Sequence, residues 1–194
     1  FIFDRNILDK LDDKADRRVE FIHAALHEMQ AQLIAMGSTL EVYYGFPKEV
    51  YQQLTDTYSI ESVYTNHDYE PYAQERDGEI AALLQAKGVG FQTFKDQVIF
   101  EKSEVVKDDA KPYTVFSPYG RKWRAKLEPF YLKPYPVEPY KAHFFQQTVK
   151  EIPSLASMGF KAVDKPFPTK QLQESIIKQY GANRDFPALE NGTS

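Results

Sequence analysis

Short apolar, β-prone runs alternate with helical patterns through the first 94 residues of the chain. The runs FIFD, TLEVYYG, SVYTN and VGFQTF have the apolar, β-branched and aromatic composition of strands. Helical patterns fall between them, and short loops separate the segments. This alternation is typical of a parallel sheet that is covered by helices on both faces. The sequence therefore predicts an α/β fold with a doubly wound parallel sheet.

The helix between the first two strands has the clearest pattern. Asp16 can cap its first turn, and Gly37 follows its last apolar residue, as expected at a helix end. Its apolar residues recur every three or four positions: Val19, Ile22, Leu26, Met29, Leu33 and Met36. The second predicted helix has Pro47 in its first turn, and the third ends at Gly88.

The pattern changes after Lys95. Two short apolar runs and a Lys/Asp-rich loop lead to a predicted helix around Trp123. Residues 128–168 then contain seven prolines, a density that excludes regular helix or sheet over most of the stretch and predicts a long surface connector. A last amphipathic helix is predicted to begin near Thr169. Its apolar residues are Leu172, Ile176, Ile177 and Tyr180.

Composition excludes several classes of protein and site. The absence of cysteine rules out disulfides, thiolate metal sites and a cysteine nucleophile, and it permits a reducing compartment. No window approaches the roughly 18 apolar residues of a membrane span, and residues 1–20 do not have the pattern of a signal peptide. We therefore expect a soluble, cytoplasmic protein. The net charge of −4 gives no sign of a basic nucleic-acid-binding face, so contact with a polyanion must be local or lie elsewhere.

Three charged motifs are interpreted as structural. His23 and His27 have a spacing that can bind a metal, but the Glu and the third ligand of that motif are missing. The acidic run LDDKADRRVE lacks the oxygen pattern and the Gly of a calcium loop. The basic segment GRKWRAKL could meet phosphates and stack a base on Trp123, but the overall acidity favours a solvated helix. We predict no metal site.

The segment YTNHDYEPYAQERD, residues 64–77, is the most informative part of the sequence. It follows a predicted inner strand and opens a helix, which is where α/β sheets bind ligands. Its polar and aromatic residues include Asn66, Asp68, Tyr69, Glu70 and Tyr72. No Gly-rich phosphate loop and no Ser/His/Asp arrangement can be identified, so a dinucleotide-binding or P-loop enzyme is not expected.

Here and at several other stretches the chain resembles the amino-terminal part of DNA photolyases and cryptochromes. The similar stretches, in the family's order, are FIFDRNIL, ADRRVEFIHAALHEMQAQL, YTNHDYEPYAQERD, KDQVIFEK, KPYTVFSPYGRKW, YLKPYP and RDFPALENGTS. The chain is most similar to bacterial class I cyclobutane pyrimidine dimer photolyases. The resemblance implies a Rossmann-like antenna domain over residues 1–131, a Pro-rich interdomain connector over 132–168, and the beginning of an all-helical FAD-binding domain over 169–194.

The resemblance also implies a function for the parent protein. It would be a deoxyribodipyrimidine photo-lyase, in which reduced FAD donates an electron to a pyrimidine dimer that has been flipped out of the DNA duplex. Most DNA contacts would come from the helical domain, so this fragment alone is expected to be inactive. Two alternatives remain: a blue-light photoreceptor cryptochrome without repair activity, and a stand-alone α/β nucleotide-binding module unrelated to light.

Four residues near the carboxyl end of the chain match family motifs. The resemblance implies that Tyr180, Thr193 and Ser194 contact FAD in the parent protein. Tyr180 has an alternative interpretation, because it also ends the apolar face of an amphipathic helix. Arg184 resembles an arginine near the DNA-binding face, and a salt bridge with Asp185 or another acid is equally consistent with the sequence.

The antenna site differs from that of folate-binding members of the family. These members carry an Asn-Glu pair where this chain has Tyr72 and Ala73, so the carboxylate that would hold the pterin is missing. The resemblance therefore argues against a folate. A deazaflavin, a flavin or no antenna pigment all stay open, with an empty antenna domain as the default. Asn66, Asp68 and Tyr72 are the candidate residues for the antenna pocket.

The beginning of the chain also differs from the family pattern. In the family, a strand with a WFRRDLR-like motif precedes FIFD and forms the middle of the sheet. Without it, the remaining strands would expose unpaired backbone groups at the centre of the sheet. We expect either that further residues precede Phe1 or that the sheet is rearranged or completed by another molecule.

Overall fold

The computed structural model describes residues 1–163, 167 and 171–185, and the statements below apply to these residues. The strands are β1 (Ile2–Asp4), β2 (Tyr43–Gly45), β3 (Ser62–Asn66) and β4 (Gly90–Phe94). The helices are α1 (Arg5–Leu8), α2 (Arg17–Ala35), α3 (Pro47–Thr57), α4 (Pro71–Ala86), α5 (Phe116–Lys126) and α6 (Glu174–Asn183). Short 3-10 helices lie at Lys102–Glu104, Pro129–Leu132, Glu138–His143 and Ala156–Met158.

The strands form two parallel ladders. β1 pairs with β2, with Ile2 opposite Tyr43, and β3 pairs with β4, with Ser62 opposite Gly90. Helices α2, α3 and α4 connect successive strands. The predicted α/β class with parallel strands and alternating helices is therefore confirmed. Within the described residues no hydrogen-bonded ladder joins β1 to β3, so the layer is divided into two parts.

The ends of α2 follow the predicted local chemistry. The side chain of Asp16 accepts a hydrogen bond from the backbone N–H of Arg18 at 2.8 Å, which satisfies a free amide of the first turn. At the other end, Gly37 has φ of 78°, a left-handed conformation in which glycine carries little strain. The proline at the start of α3, Pro47, is also where the sequence places it.

The main apolar cluster joins distant parts of the chain. It contains Phe3, Leu8, Val19, Leu26, Val42, Met158 and Phe160. Met158 and Phe160 come from the Pro-rich stretch, and each is only 3% exposed. Part of the predicted connector is therefore built into the core beside β1 and α2. The division into three segments, 1–131, 132–168 and 169–194, stays a prediction.

Hydrogen bonds hold the Pro-rich stretch against α2 and the loop before β2. We call residues 144–160 the strap. Gln30 donates from Nε2 to the backbone oxygen of Lys150 at 2.5 Å, and Ser38 Oγ donates to the backbone oxygen of Phe145 at 2.8 Å. The Lys150 N–H donates to Thr39 Oγ1 at 3.2 Å. These side chains supply the backbone partners that the strap cannot obtain from a helix or a sheet.

The last helix begins later than the sequence pattern indicates. α6 begins at Glu174 rather than near Thr169, and Leu172 is 81% exposed outside the helix.

No helix of the described chain has the combination of length and apolar character that crossing a membrane requires.

Candidate functional site

A crevice lies where β1 and β2 end, between the first turn of α3 and one face of α4. Its volume is about 340 Å³, within the range of ligand pockets. The residues that α4 contributes to the lining are spaced three or four positions apart, so they lie on a single face of that helix. The lining residues are Asn6, Phe46, Pro47, Lys48, Glu49, Tyr72, Glu75, Arg76, Glu79 and Ile80. The location matches the rule that open α/β sheets bind ligands beyond the carboxyl ends of their strands.

A buried carboxylate orients the polar wall of this crevice. Asp4, the last residue of β1, is 7% exposed and accepts hydrogen bonds from the Tyr72 hydroxyl and from the Asn6 N–H, the latter at 2.8 Å. Asn6 Nδ2 donates to the Tyr72 oxygen at 3.0 Å. Burial, together with the hydrogen bond to Asp4, raises the pKa of Tyr72. Tyr72 therefore stays neutral, and Asp4 and Asn6 fix its hydroxyl at the edge of the crevice.

The charged residues around the crevice are predominantly acidic. Glu49, Glu75 and Glu79 are exposed, whereas Lys48 is the only lining cation without an ion pair inside the described chain. The guanidinium of Arg76 is occupied by Asp77, with Nη2 to Oδ1 at 2.8 Å. Counting that pair as neutral, the crevice carries about two net negative charges at neutral pH.

A larger cavity of about 670 Å³ lies between the two ladders and shares Pro47, Arg76 and Ile80 with the crevice. Its walls are rich in aromatic side chains: Phe1, Tyr43, Tyr51, Tyr58, Phe91 and Phe145. Glu41 accepts hydrogen bonds from the Tyr43 and Tyr58 hydroxyls. Burial opposes ionisation of Glu41, but these hydrogen bonds prevail and lower its pKa. The sequence predicted one continuous sheet, and the cavity lies where that sheet is divided into the β1–β2 and β3–β4 ladders.

Of the three predicted antenna residues, Tyr72 lines the crevice and the other two are not among its lining residues. Asn66 Nδ2 donates to Asp96 Oδ2 at 2.9 Å, and Asp68 Oδ1 accepts from the Glu70 N–H at 3.1 Å. The first contact joins the end of β3 to the loop after β4, and the second lies in the loop after β3. The pigment-binding role of all three residues stays a prediction.

The loop after β3 is fixed by a second polar cluster. The Tyr69 hydroxyl donates to Glu101 Oε2 at 2.6 Å, and His67 Nδ1 lies 2.9 Å from the same oxygen. The hydrogen bond with Glu101 raises the pKa of Tyr69 to about 12. The other ring nitrogen of His67 lies 2.9 Å from Thr93 Oγ1. These contacts tie β3, β4 and the following turn together.

The residues predicted to contact FAD and DNA lie at the far end of the chain. Tyr180 lies on α6 with 49% of its surface exposed. Arg184 follows that helix, and its Nε lies 3.5 Å from Asp185 Oδ1, which matches the salt-bridge interpretation. Thr193 and Ser194 lie outside the described residues. The roles of these four residues stay predictions.

The structure adds crevice residues that the sequence did not identify. Asn6 follows the first strand closely, so the rule about carboxyl ends could have found it. Glu75, Arg76 and Glu79 share a helix face with Tyr72, so helical spacing could have found them. Within the described residues no three His, Asp or Glu side chains are grouped to hold a metal ion.

Comparisons with known proteins agree on one family. A sequence model of the DNA photolyase family matches residues 1–152. A deoxyribodipyrimidine photo-lyase of Synechococcus sp. is 32% identical over 211 aligned positions, covering 100% of this chain and 43% of the relative.

Two solved structures share the fold. The archaeal photolyase from Sulfolobus tokodaii, which holds two FAD molecules, superposes with a TM-score of 0.62 at 18% identity over 100% of this chain and 42% of its own. The class III photolyase from Agrobacterium tumefaciens superposes with a TM-score of 0.66 at 19% identity. The match covers 95% of this chain and 41% of the photolyase chain. The chain thus spans less than half the length of each of these proteins.

Proposed function

This chain belongs to the DNA photolyase family, and from that membership we propose that it is the antenna part of a deoxyribodipyrimidine photo-lyase. The parent enzyme would repair cyclobutane pyrimidine dimers in DNA under blue light. The observation that carries the proposal is the family match over residues 1–152, combined with the crevice at the carboxyl ends of β1 and β2. An enzyme with this substrate would work in the compartment that contains DNA, which in a bacterial cell is the cytoplasm.

The flavin site of the parent enzyme would lie mostly outside this chain. Bound FAD would supply the electron that splits the dimer. Of the three candidate contacts, only Tyr180 is among the described residues, and its half-exposed ring cannot enclose a dinucleotide. We therefore assign no step of the repair reaction to residues of this chain. Tyr180, Thr193 and Ser194 would form one edge of that site.

The crevice is the proposed place for an antenna chromophore. Phe46, Pro47 and Ile80 supply apolar surface, while Tyr72 and Asn6 supply oriented polar groups. A folate is disfavoured, because Ala73, which takes the place of the family's pterin-binding carboxylate, has no polar group and is 3% exposed. The role proposed for the described residues is to hold a planar pigment and exclude water from it. Asn66 and Asp68 would act only from the neighbouring loop.

DNA contacts are proposed to come mainly from residues beyond the antenna part. The net charge of −4 gives no general attraction to phosphates. The positive charge of the basic helix α5 is partly neutralised, because Lys122 Nζ lies 2.7 Å from Asp108 Oδ1. Lys126 Nζ is held by the Glu104 backbone oxygen at 2.6 Å. Arg184 is the one proposed DNA contact in the chain.

The test of the proposed activity uses the full-length parent protein. Purified protein is illuminated with blue light in the presence of an oligonucleotide that contains a single thymine dimer, and the repaired strand is quantified by chromatography. We expect light-dependent repair and none in the dark. A flavin-loaded protein that absorbs blue light but leaves the dimer intact would favour the cryptochrome alternative. A colourless protein with bound nucleotide would favour the stand-alone module.

The 194-residue chain gives a second test. It should repair no dimer and should not bind FAD tightly at the parent site, because so few contacts cannot offset the loss of freedom on binding. The readout is repair of the same oligonucleotide by a chain that has been incubated with FAD. Light-dependent repair by this chain would refute the proposal that the flavin site and the DNA contacts lie mostly outside it.

A further inference from the structure

We infer that the crevice selects an uncharged planar ligand with carbonyl acceptors and discriminates against ligands that carry a phosphate. This inference rests on the proposed antenna role of the crevice and adds the chemical class of its ligand. It follows from the charges and the free backbone donors around the cavity.

The acidic side chains come from both helices that form the crevice. Glu49 lies in the first turn of α3, and Glu75 and Glu79 lie on α4. Glu75 and Glu79 are four residues apart, a spacing at which like charges on a helix repel each other. A further anion between α3 and α4 would add to this repulsion.

The cations of the crevice do not compensate for these acids. Arg76 is half-buried and directed to Asp77, with Nε to Oδ1 at 2.9 Å and Nη2 to Oδ1 at 2.8 Å. The Asp77 carboxylate therefore offsets the positive charge that Arg76 would present to a ligand phosphate. Among the described residues, Lys48 is therefore the only lining cation that is not in an ion pair, and it is opposed by three glutamates.

The backbone of α3 still offers hydrogen-bond donors to a neutral ligand. The first N–H groups of a helix have no partner within the helix. Phe46 precedes the first turn and provides no side-chain cap, and Pro47 has no N–H, so the Lys48 and Glu49 amides are the donors. Glu49 already places a negative charge at this end of the helix dipole. A ring carbonyl can accept from these amides without adding charge.

The size of the discrimination follows from Coulomb's law. A phosphate dianion about 7 Å from two net negative charges in water, with a Debye length of about 8 Å at physiological salt, binds about fivefold more weakly than an uncharged analogue. At about 0.01 M salt the Debye length is about 30 Å, and the expected factor rises to about twentyfold.

Riboflavin and FMN are the probes, because they share the ring and differ by one phosphate. The 194-residue chain is titrated with each at low and at physiological salt, and binding is followed by flavin fluorescence anisotropy. We expect the ratio of the FMN and riboflavin dissociation constants to be about twenty at low salt and about five at physiological salt.

Neutralising the acids should remove the discrimination. In the variant Glu75→Gln/Glu79→Gln the ratio should fall to about one, while riboflavin affinity changes less than about twofold, because the net charge of the crevice becomes zero. The matched control, Glu61→Gln/Glu151→Gln, removes two exposed acids that do not line the crevice and should keep the ratio of the unmodified chain. Circular dichroism melts confirm that both variants are folded.

The failures of the two proposals are distinguishable. Equal binding of the two flavins, tighter binding of FMN, or a ratio that does not respond to salt would overturn the charge selection and leave the antenna role intact. If neither flavin binds at about 1 mM, the crevice is not a site for flavin-like pigments, and both the antenna role and the inference drawn from it are refuted.

Discussion

Replacing Phe160 by alanine tests whether the strap belongs to the apolar core beside β1 and α2. Phe160 is 3% exposed and packs in the cluster that contains Phe3 and Leu26. The Lys14 ammonium lies 5.1 Å from its ring centroid. Removing a buried phenylalanine ring costs about 3–5 kcal/mol, because apolar contacts are lost and a cavity remains. We expect a loss of about 4 kcal/mol in the free energy of unfolding.

The assay is equilibrium unfolding in urea, followed by circular dichroism and by the fluorescence of Trp123. With a urea dependence of about 2 kcal/mol per molar, the midpoint should fall by about 2 M. The control is Phe116→Ala, the same substitution at a ring that is 76% exposed, which should lower the free energy of unfolding by less than about 1 kcal/mol. Midpoints for the two variants within about 0.3 M of each other would refute the view that the strap completes the core.

Three further substitutions test the hydrogen bonds described above. Gln30→Ala removes the donor to the Lys150 backbone and should lower the free energy of unfolding by about 1–3 kcal/mol, measured by urea unfolding; a loss below about 0.5 kcal/mol would show that this side chain does not hold the strap. Tyr72→Phe leaves the buried Asp4 carboxylate with one donor fewer and should lower the melting temperature, whereas an unchanged melt would show that water replaces the hydroxyl. The Arg18 guanidinium also donates to the Asp16 carboxylate, and this hydrogen bond lowers the pKa of Asp16 to about 2. Its stabilising effect is present above the unfolded pKa near 4 and is lost as the pH falls through 2. Melts of Asp16→Asn between pH 7 and 2 should therefore change less than those of the unmodified chain, and equal pH profiles would contradict the assignment.

Local features of the fold could be predicted from the sequence. The capping chemistry of Asp16, the periodic apolar residues of α2 and the glycine at position 37 act within a few residues of one another, so their pattern is visible along the chain. The parallel arrangement was predicted from the alternation of strand and helix patterns over the first 94 residues. The start of α6 at Glu174 was missed, because the apolar period continues through residues that do not form the helix.

Long-range features left no local signal. Met158 and Phe160 lie in the strap, a fully described stretch without a strand or a long helix, and only their contacts with β1 and α2 make them core residues. The division of the layer into two ladders depends on which strands pair, and strand composition does not specify partners. In the candidate site, Tyr72 was found because the position after a strand predicts it. The acids of the crevice were missed, because exposed glutamates on a helix usually have no binding role.

The strap also determines when the main apolar cluster can be completed during synthesis. About 130 residues separate Leu26 from Phe160, although both belong to one cluster. At 5–20 residues per second, a ribosome needs about 7–26 s to make that interval. During this time Val19, Leu26 and Val42 lack their partners from the strap and present apolar surface to the cell. Chaperones can therefore bind the nascent chain during this interval, which ends once Phe160 has left the exit tunnel.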